Sequence, residues 1–141
     1  MVNLSGKDKK KISETIREAE RLTSGEIRVH LKKKCGEDTL AEAKTIFLKL
    51  QMQKTKERNA VLIFLALNSR RFAILGDAGI DARVGGAFWE ETRDRMTKLF
   101  LEGRMSDGIV EGVLSVGSKL KKHFPHGGDD RNELSNKVTG S

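Results

Sequence analysis

The residues best suited to chemistry in this chain are two aspartates, Asp77 and Asp81, in the run "ILGDAGIDARVGGAFWE" at 74–90. Four glycines and Arg83 accompany them. Hard divalent cations take several oxygen ligands, carboxylates and backbone carbonyls alike. A glycine-rich loop exposes carbonyls and bends sharply, so the run could hold a metal ion. It could equally make a turn, with Asp77 capping it and Asp81 in water. The spacing does not match an EF-hand, which needs acids at alternate positions and a glutamate at the twelfth. The residue pattern leaves both readings open.

Other reactive residue types lack the patterns that chemistry needs. No P-loop and no dinucleotide-binding G-x-G-x-x-G occurs. "GVLSVG" (112–117) resembles a nucleophile elbow, but one residue too many precedes Ser115 and the stretch is helical in pattern. His30, His123 and His126 form no H-E-x-x-H, and His30 reads as a surface or packed imidazole. Cys35 is the only cysteine, which excludes an intramolecular disulfide, disfavours a cysteine-based zinc site and suits a reducing compartment. Glu37, Asp38, Glu102 and Asp107 lie at or near helix starts, where acids are favoured anyway. Arg28, Arg71 and Arg83 could hold a phosphate, but nothing in the sequence sets their geometry.

What positions these residues is one domain, the natural reading of 141 residues. Ser5 with Asp8 resembles a capping box, and Ile12, Ile16 and Ala19 predict an amphipathic helix over 6–22. "EIRVHLK" (26–32) alternates: Ile27, Val29 and Leu31 face one way, while Glu26, Arg28, His30 and Lys32 face a wetter side or a sheet edge. Thr39 with Glu42 can cap a second helix with the stripe Leu40, Ala43, Phe47 and Leu50. "AVLIFLAL" (60–67) is apolar throughout, as a strand covered on both faces is. "RFAIL" (71–75) returns as a third strand after a short turn. Phe88, Trp89, Met96, Leu99 and Phe100 predict a helix from about 86 to 101. Ser106 can cap a last helix carrying Ile109, Val113, Val116 and Leu120, which must stop near Phe124-Pro125.

The order α-β-α-β-β-α-α makes strands one and two parallel and strand three antiparallel to strand two. It predicts a three-layer α/β/α sandwich with a small mixed sheet of three to four strands and about four helices. Residues 1–125 form the domain, and the Gly- and Asp-rich segment 126–141 reads as a mobile tail. This topology brings the loop 76–86 toward Ser24-Gly25-Glu26, so Glu26 joins Asp77 and Asp81 as a candidate metal ligand.

The net charge is +7, which raises nucleic acid as a partner. Lys9–Lys11, Lys32–Lys34 and Lys121–Lys122 are dispersed among acids, however, and no basic-aromatic platform is visible. The N-terminus lacks an apolar signal core. The longest clean apolar run, 60–67, is too short to span a membrane. A soluble, cytoplasmic, monomeric protein is expected.

Taken in order, "TSGEIRVHL" (23–31), "ERNAVLIFLALNSRRFAILGDAGI" (57–80), Trp89, "FLEGRMSDGIVEGVLSVGSKLKKHFP" (100–125) and a weaker "NELSNKV" (132–138) resemble the TPM domain family. That family includes a thylakoid-lumen acid phosphatase and photosystem-repair proteins. The resemblance implies an α/β/α sandwich, here without the signal peptide and anchor of many members. It also implies divalent metal, calcium foremost and magnesium or zinc besides, bound by acids at a pair of crossing loops. The matching acids are Asp77 and Asp81, with Glu26 next. The leading reading is a metal-responsive regulatory or interaction module with an unidentified protein partner. The alternatives are a metal-dependent phosphatase, which leaves enzyme status open, and a nucleic-acid binder.

Overall fold

The computed structural model describes residues 4–126 and 138–140. Helix α1 (Gly6–Glu20) starts at a reciprocal cap: Asp8 N–H donates to Ser5 Oγ at 3.0 Å and Ser5 N–H to Asp8 Oδ2 at 3.2 Å. It buries Ile12, Ile16 and Ala19. Strand β1 (Glu26–Lys32) leads to α2 (Thr39–Lys49), whose cap is Asp38 rather than Thr39: Ala41 N–H donates to Asp38 Oδ1 at 2.9 Å. A 3-10 turn, Met52–Lys54, drops Met52 into the core. Every residue of β2 (Ala60–Ala66) is buried, and β3 (Arg71–Gly76) returns beside it. Then come α3 (Ala78–Asp81), α4 (Glu90–Leu101), α5 (Met105–His123) and a two-residue strand β4 (Thr139–Gly140).

The sheet order is β3-β2-β1-β4, with β1 parallel to both β2 and β4, and β3 antiparallel to β2. Period-two alternation divides the side chains between two layers. Ile27, Val29, Leu31, Val61, Ile63 and Leu65 pack with the apolar faces of α1, α4 and α5. Leu62, Phe64 and Ala66 pack with Ala43 and Phe47 of α2 and with Met52. The expected α/β sandwich is thus present, with a mixed sheet of four strands.

Four details correct the expectations. Helix α4 begins at Glu90, not 86, because Phe88 N–H bonds Gly85 O and Glu90 N–H bonds Ala87 O in successive turns. A fifth helix, the short α3, lies inside the glycine-rich run, where four residues are too few for periodicity to register. The Glu26 and His30 side of β1 is not wet: they are 3% and 5% exposed, Glu26 against Glu20 at the end of α1 and His30 stacked on Phe64 and bonded to Thr139. Of the segment 126–141, residues 127–137 and Ser141 lie outside the described residues, while Thr139 and Gly140 pair with His30 and Leu31.

Candidate loop-crossing site

Asp77 follows the last residue of β3, and its N–H continues the ladder to Ala60 O at 3.0 Å. Its carboxylate then caps α3, accepting from Ala78 N–H at 2.7 Å, while Ile80 and Asp81 N–H donate to Asp77 O. So "GDAGID" is locally a strand end that turns straight into a helix. Gly79 N–H donates to Arg58 O at 2.8 Å. A Cβ on Gly79 would lie 2.1 Å from Glu57 O and 2.7 Å from Arg58 O, so only glycine lets the two loops cross this closely.

Arg58 takes a left-handed backbone, φ 52°, at that crossing. Its Nε donates to Asp77 Oδ2 at 2.6 Å and its Nη2 to Asp77 Oδ1 at 2.8 Å. Asp77 is 6% exposed, whereas the Arg58 side chain is 48% exposed. This two-pronged bond, and then the Asp77 charge, raise the guanidinium above its ordinary pKa. Beside it, Ser24 Oγ donates to Glu57 Oε2 at 2.5 Å, and Asn59 Nδ2 reaches both at 3.2 Å. Three segments, 24–25, 57–59 and 76–81, therefore meet at one end of the sheet.

Glu26 sits at the same end but does not face Asp77. Its register partner is Ala60, whose carbonyl in turn takes the Asp77 N–H. Two strand spacings, about 10 Å, separate Glu26 from Asp77. Glu26 instead shares a buried corner with Glu20, at the end of α1. Glu20 Oε2 accepts from Ile27 N–H at 2.7 Å. Burial, then the hydrogen bond and negative charge of Glu26, push the Glu20 carboxyl up to about 9, so the pair holds a proton between them. Asp81 is exposed at the end of α3. Among the described residues, no three of His, Cys, Asp and Glu form a group that could hold a metal ion.

The remaining candidates are dispersed. Arg71 opens β3 and donates to Gly36 O and Glu37 O, a strand's length from Asp77. Arg83 donates to His123 O at 2.7 Å and lies over the Phe124 ring at 4.3 Å. Arg28 lies on the α2-facing side of β1, so the three arginines hold no common point. Ser115 is buried in α5 and bonds Thr92 of α4 at 2.5 Å, a tie between helices. Cys35 is half-buried, its N–H donating to Ser69 Oγ. Asp38 caps α2, and Arg104 pairs with Glu102 and Asp107. A cleft of about 900 Å³ between the start of α1 and the α4–α5 turn mixes Lys7, Lys10, Lys11 and Arg104 with Asp8 and Glu14.

Sequence reasoning missed Arg58 and Glu20. Arg58 carries no pattern of its own; extending the antiparallel β2–β3 register from Val61 and Gly76 sets 58 against Gly79. Glu20 carries a subtler signal, an acid in the last turn of a helix, where the macrodipole disfavours negative charge.

Fold and site define a small α/β/α domain whose distinctive feature is a pair of loops crossing at the acid-bearing end of a mixed sheet. A family model described as the TPM domain matches residues 3–119, and the chain belongs to that family. The chain is 39% identical to the BA42 protein of the psychrophilic bacterium Bizionia argentinensis, with TM-score 0.92 over 99% of this chain and 97% of that one. The N-terminal domain of a protein from P. gingivalis shares the fold at 23% identity and TM-score 0.69, over 89% of this chain and 83% of that one. So does the N-terminal domain of cg2496 from Corynebacterium glutamicum, at 16% and 0.68, over 90% and 79%. No curated protein matches. No helix among the described residues is long and apolar enough to cross a membrane.

Proposed function

We propose that the chain is a metal-responsive interaction module whose sensor is the crossing of the 57–59 and 76–81 loops. The observation that supports this reading is that Asp77 already binds a cation. Its buried carboxylate holds the half-exposed Arg58 guanidinium through both oxygens. The donor set fits a hard cation only in part: the Asp77 carboxylate is held by Arg58, Asp81 stands exposed at the end of α3, and a third acid ligand is absent among the described residues. Calcium, which tolerates irregular oxygen ligation, is the first candidate, ahead of magnesium and zinc. A divalent ion here would supply the positive charge that Arg58 now supplies. Arg58, at a surface position and in a left-handed backbone conformation, would then turn its charge outward to a protein partner. Glu26, tied to Glu20, belongs to the fold rather than to this site.

An amide NMR titration of the full chain with calcium, magnesium and zinc tests the reading. Saturable shifts at 57–59 and 76–82 are expected. Asp77→Asn should abolish them, and Arg58→Gln, by removing the competing guanidinium, should tighten binding. No shift with any ion, or weaker binding in Arg58→Gln, would overturn the exchange. Metal-dependent phosphoester hydrolysis that vanishes in Asp77→Asn would make the protein an enzyme instead.

A further inference from the structure

The cleft of about 900 Å³ lies between the start of α1 and the α4–α5 turn. Helix α1 ends at Glu20, beside the first residues of β1 and the loop crossing. Its start is one helix length away, about 22 Å for 15 residues. Lys7, Lys10, Lys11 and Glu14 line one wall at positions i, i+3, i+4 and i+7, a single stripe of α1. Across the cleft, Met105 at the start of α5 and Leu4 ahead of α1 supply apolar surface, each packed on the core but only partly buried.

The charges of the cleft do not balance one another. Asp8 belongs to the helix cap: the Ser5 N–H, then the Ser5 hydroxyl, hold its carboxyl below the usual value, and Ser106 adds a further bond. Asp107 is taken by Arg104 at 3.0 Å, and Glu102 lies 3.5 Å from the same guanidinium. Glu14 remains as the acid of the wall. Among the described residues, Lys7, Lys10 and Lys11 form no salt bridge, and Lys11 lends Asp8 only its charge. Lys7 and Lys11, four residues apart, repel each other. Three ammonium groups thus face one unengaged carboxylate.

Spacing says what shape of ligand fits. Lys7 and Lys11 are separated by about 6 Å along the helix. Alternate residues of an extended chain are about 6.6 Å apart and share a side, while the residue between them points the other way. An extended segment lying along α1 therefore sets two acids against Lys7 and Lys11 and an apolar side chain against Met105. A flat lipid surface does not enter a concave cleft. Glu14 repels a run of phosphates, and no aromatic ring lines the cleft for bases to stack on.

We propose that this cleft docks an extended acid–apolar–acid segment of a partner protein, with its carboxylates on Lys7 and Lys11, Lys10 adding charge, and its apolar side chain against Met105 and Leu4. The cleft shares no residue with the loop crossing, so docking here requires no metal.

Amide NMR of the full chain in chelator, titrated with the blocked peptide Ser-Glu-Leu-Glu-Ser, tests this. Saturable shifts at 4–14 and 103–107 are expected, weakening as salt rises. Lys7→Gln combined with Lys11→Gln should weaken binding about tenfold. Both side chains are exposed, so the helix is kept. Replacing the peptide's glutamates by glutamine, or its leucine by glycine, should each weaken binding to the wild-type chain. Lys121→Gln combined with Lys122→Gln removes the same charge elsewhere and should change affinity by less than about twofold. Absence of saturable shifts overturns the proposal. So does an equal loss in the Lys121 and Lys122 variant, since net charge alone would then explain binding. Cleft shifts produced by phosphatidylserine vesicles or oligothymidine but not by the peptide would overturn it as well.

Discussion

Glu20 is the side chain whose ionisation bears most directly on stability. Its carboxyl has an ordinary value of 4.5 and is pushed up to about 9 when folded, so the native state holds the proton more tightly than the unfolded chain. The resulting stabilisation is complete below the unfolded value and is lost as pH rises through the folded one. Glu20→Gln keeps an oxygen for Ile27 N–H and offers Glu26 a donor that never titrates. Its melting temperature should vary less than wild type between about pH 5 and 9 and exceed wild type at the alkaline end. Thermal melts across that range check this; parallel curves would exclude the shared proton. The same residue shows what a linear reading conveys. The apolar stripe of α1 is visible in the spacing of Ile12, Ile16 and Ala19. The partnership of Glu20 with Glu26 is made by the corner between helix and strand, which no local period encodes. Asp77 was legible as an acid in a glycine loop, but its partner Arg58 sits in what reads as a polar connection. Only the β2–β3 register brings the two together.

Among the elements, β2 is the most legible and the least tolerant. Its unbroken apolar run translates into seven buried residues, with Ile63 and Phe64 facing opposite layers. Phe64 is fully buried and also carries the His30 ring. Phe64→Ala should cost about 3–5 kcal/mol in denaturant unfolding, and a loss below about 1 kcal/mol would contradict the layered packing. Helix starts were harder to read. Ser5 and Asp8 mark α1 because both halves of the cap are side chains. At α4 the aromatic stripe runs on into Phe88 and Trp89, which pack from turns rather than from the helix. The polar face assigned to β1 failed for a different reason. Alternation reports which residues share a side, whereas wetness depends on what covers that side, and that cover comes from distant parts of the chain.

At the scale of the whole molecule, the positive charge is spread over separate features rather than gathered on one surface. Lys7, Lys10, Lys11 and Arg104 face a cleft that also contains acids, while Lys32 and Lys49 flank His30 on the far layer. The β1 side of the sheet is extended by a strand from far along the sequence. His30 and Thr139 are 109 positions apart, yet their strands lie side by side. Beyond architecture, β4 is expected to limit self-association. Strand β1 alternates apolar residues along its length, and a free edge of that kind is a template on which another copy can add a strand. Thr139 and Gly140 occupy part of that edge, and on the opposite flank β3 opens with the exposed Arg71. Deleting residues 138–141 is therefore expected to raise concentration-dependent aggregation, read by light scattering, more than it lowers the melting temperature. An unchanged scattering profile would show that the edge needs no cover. With the expected rise, the two-residue strand acts as a guard against self-templating, a role that its small share of the core does not suggest.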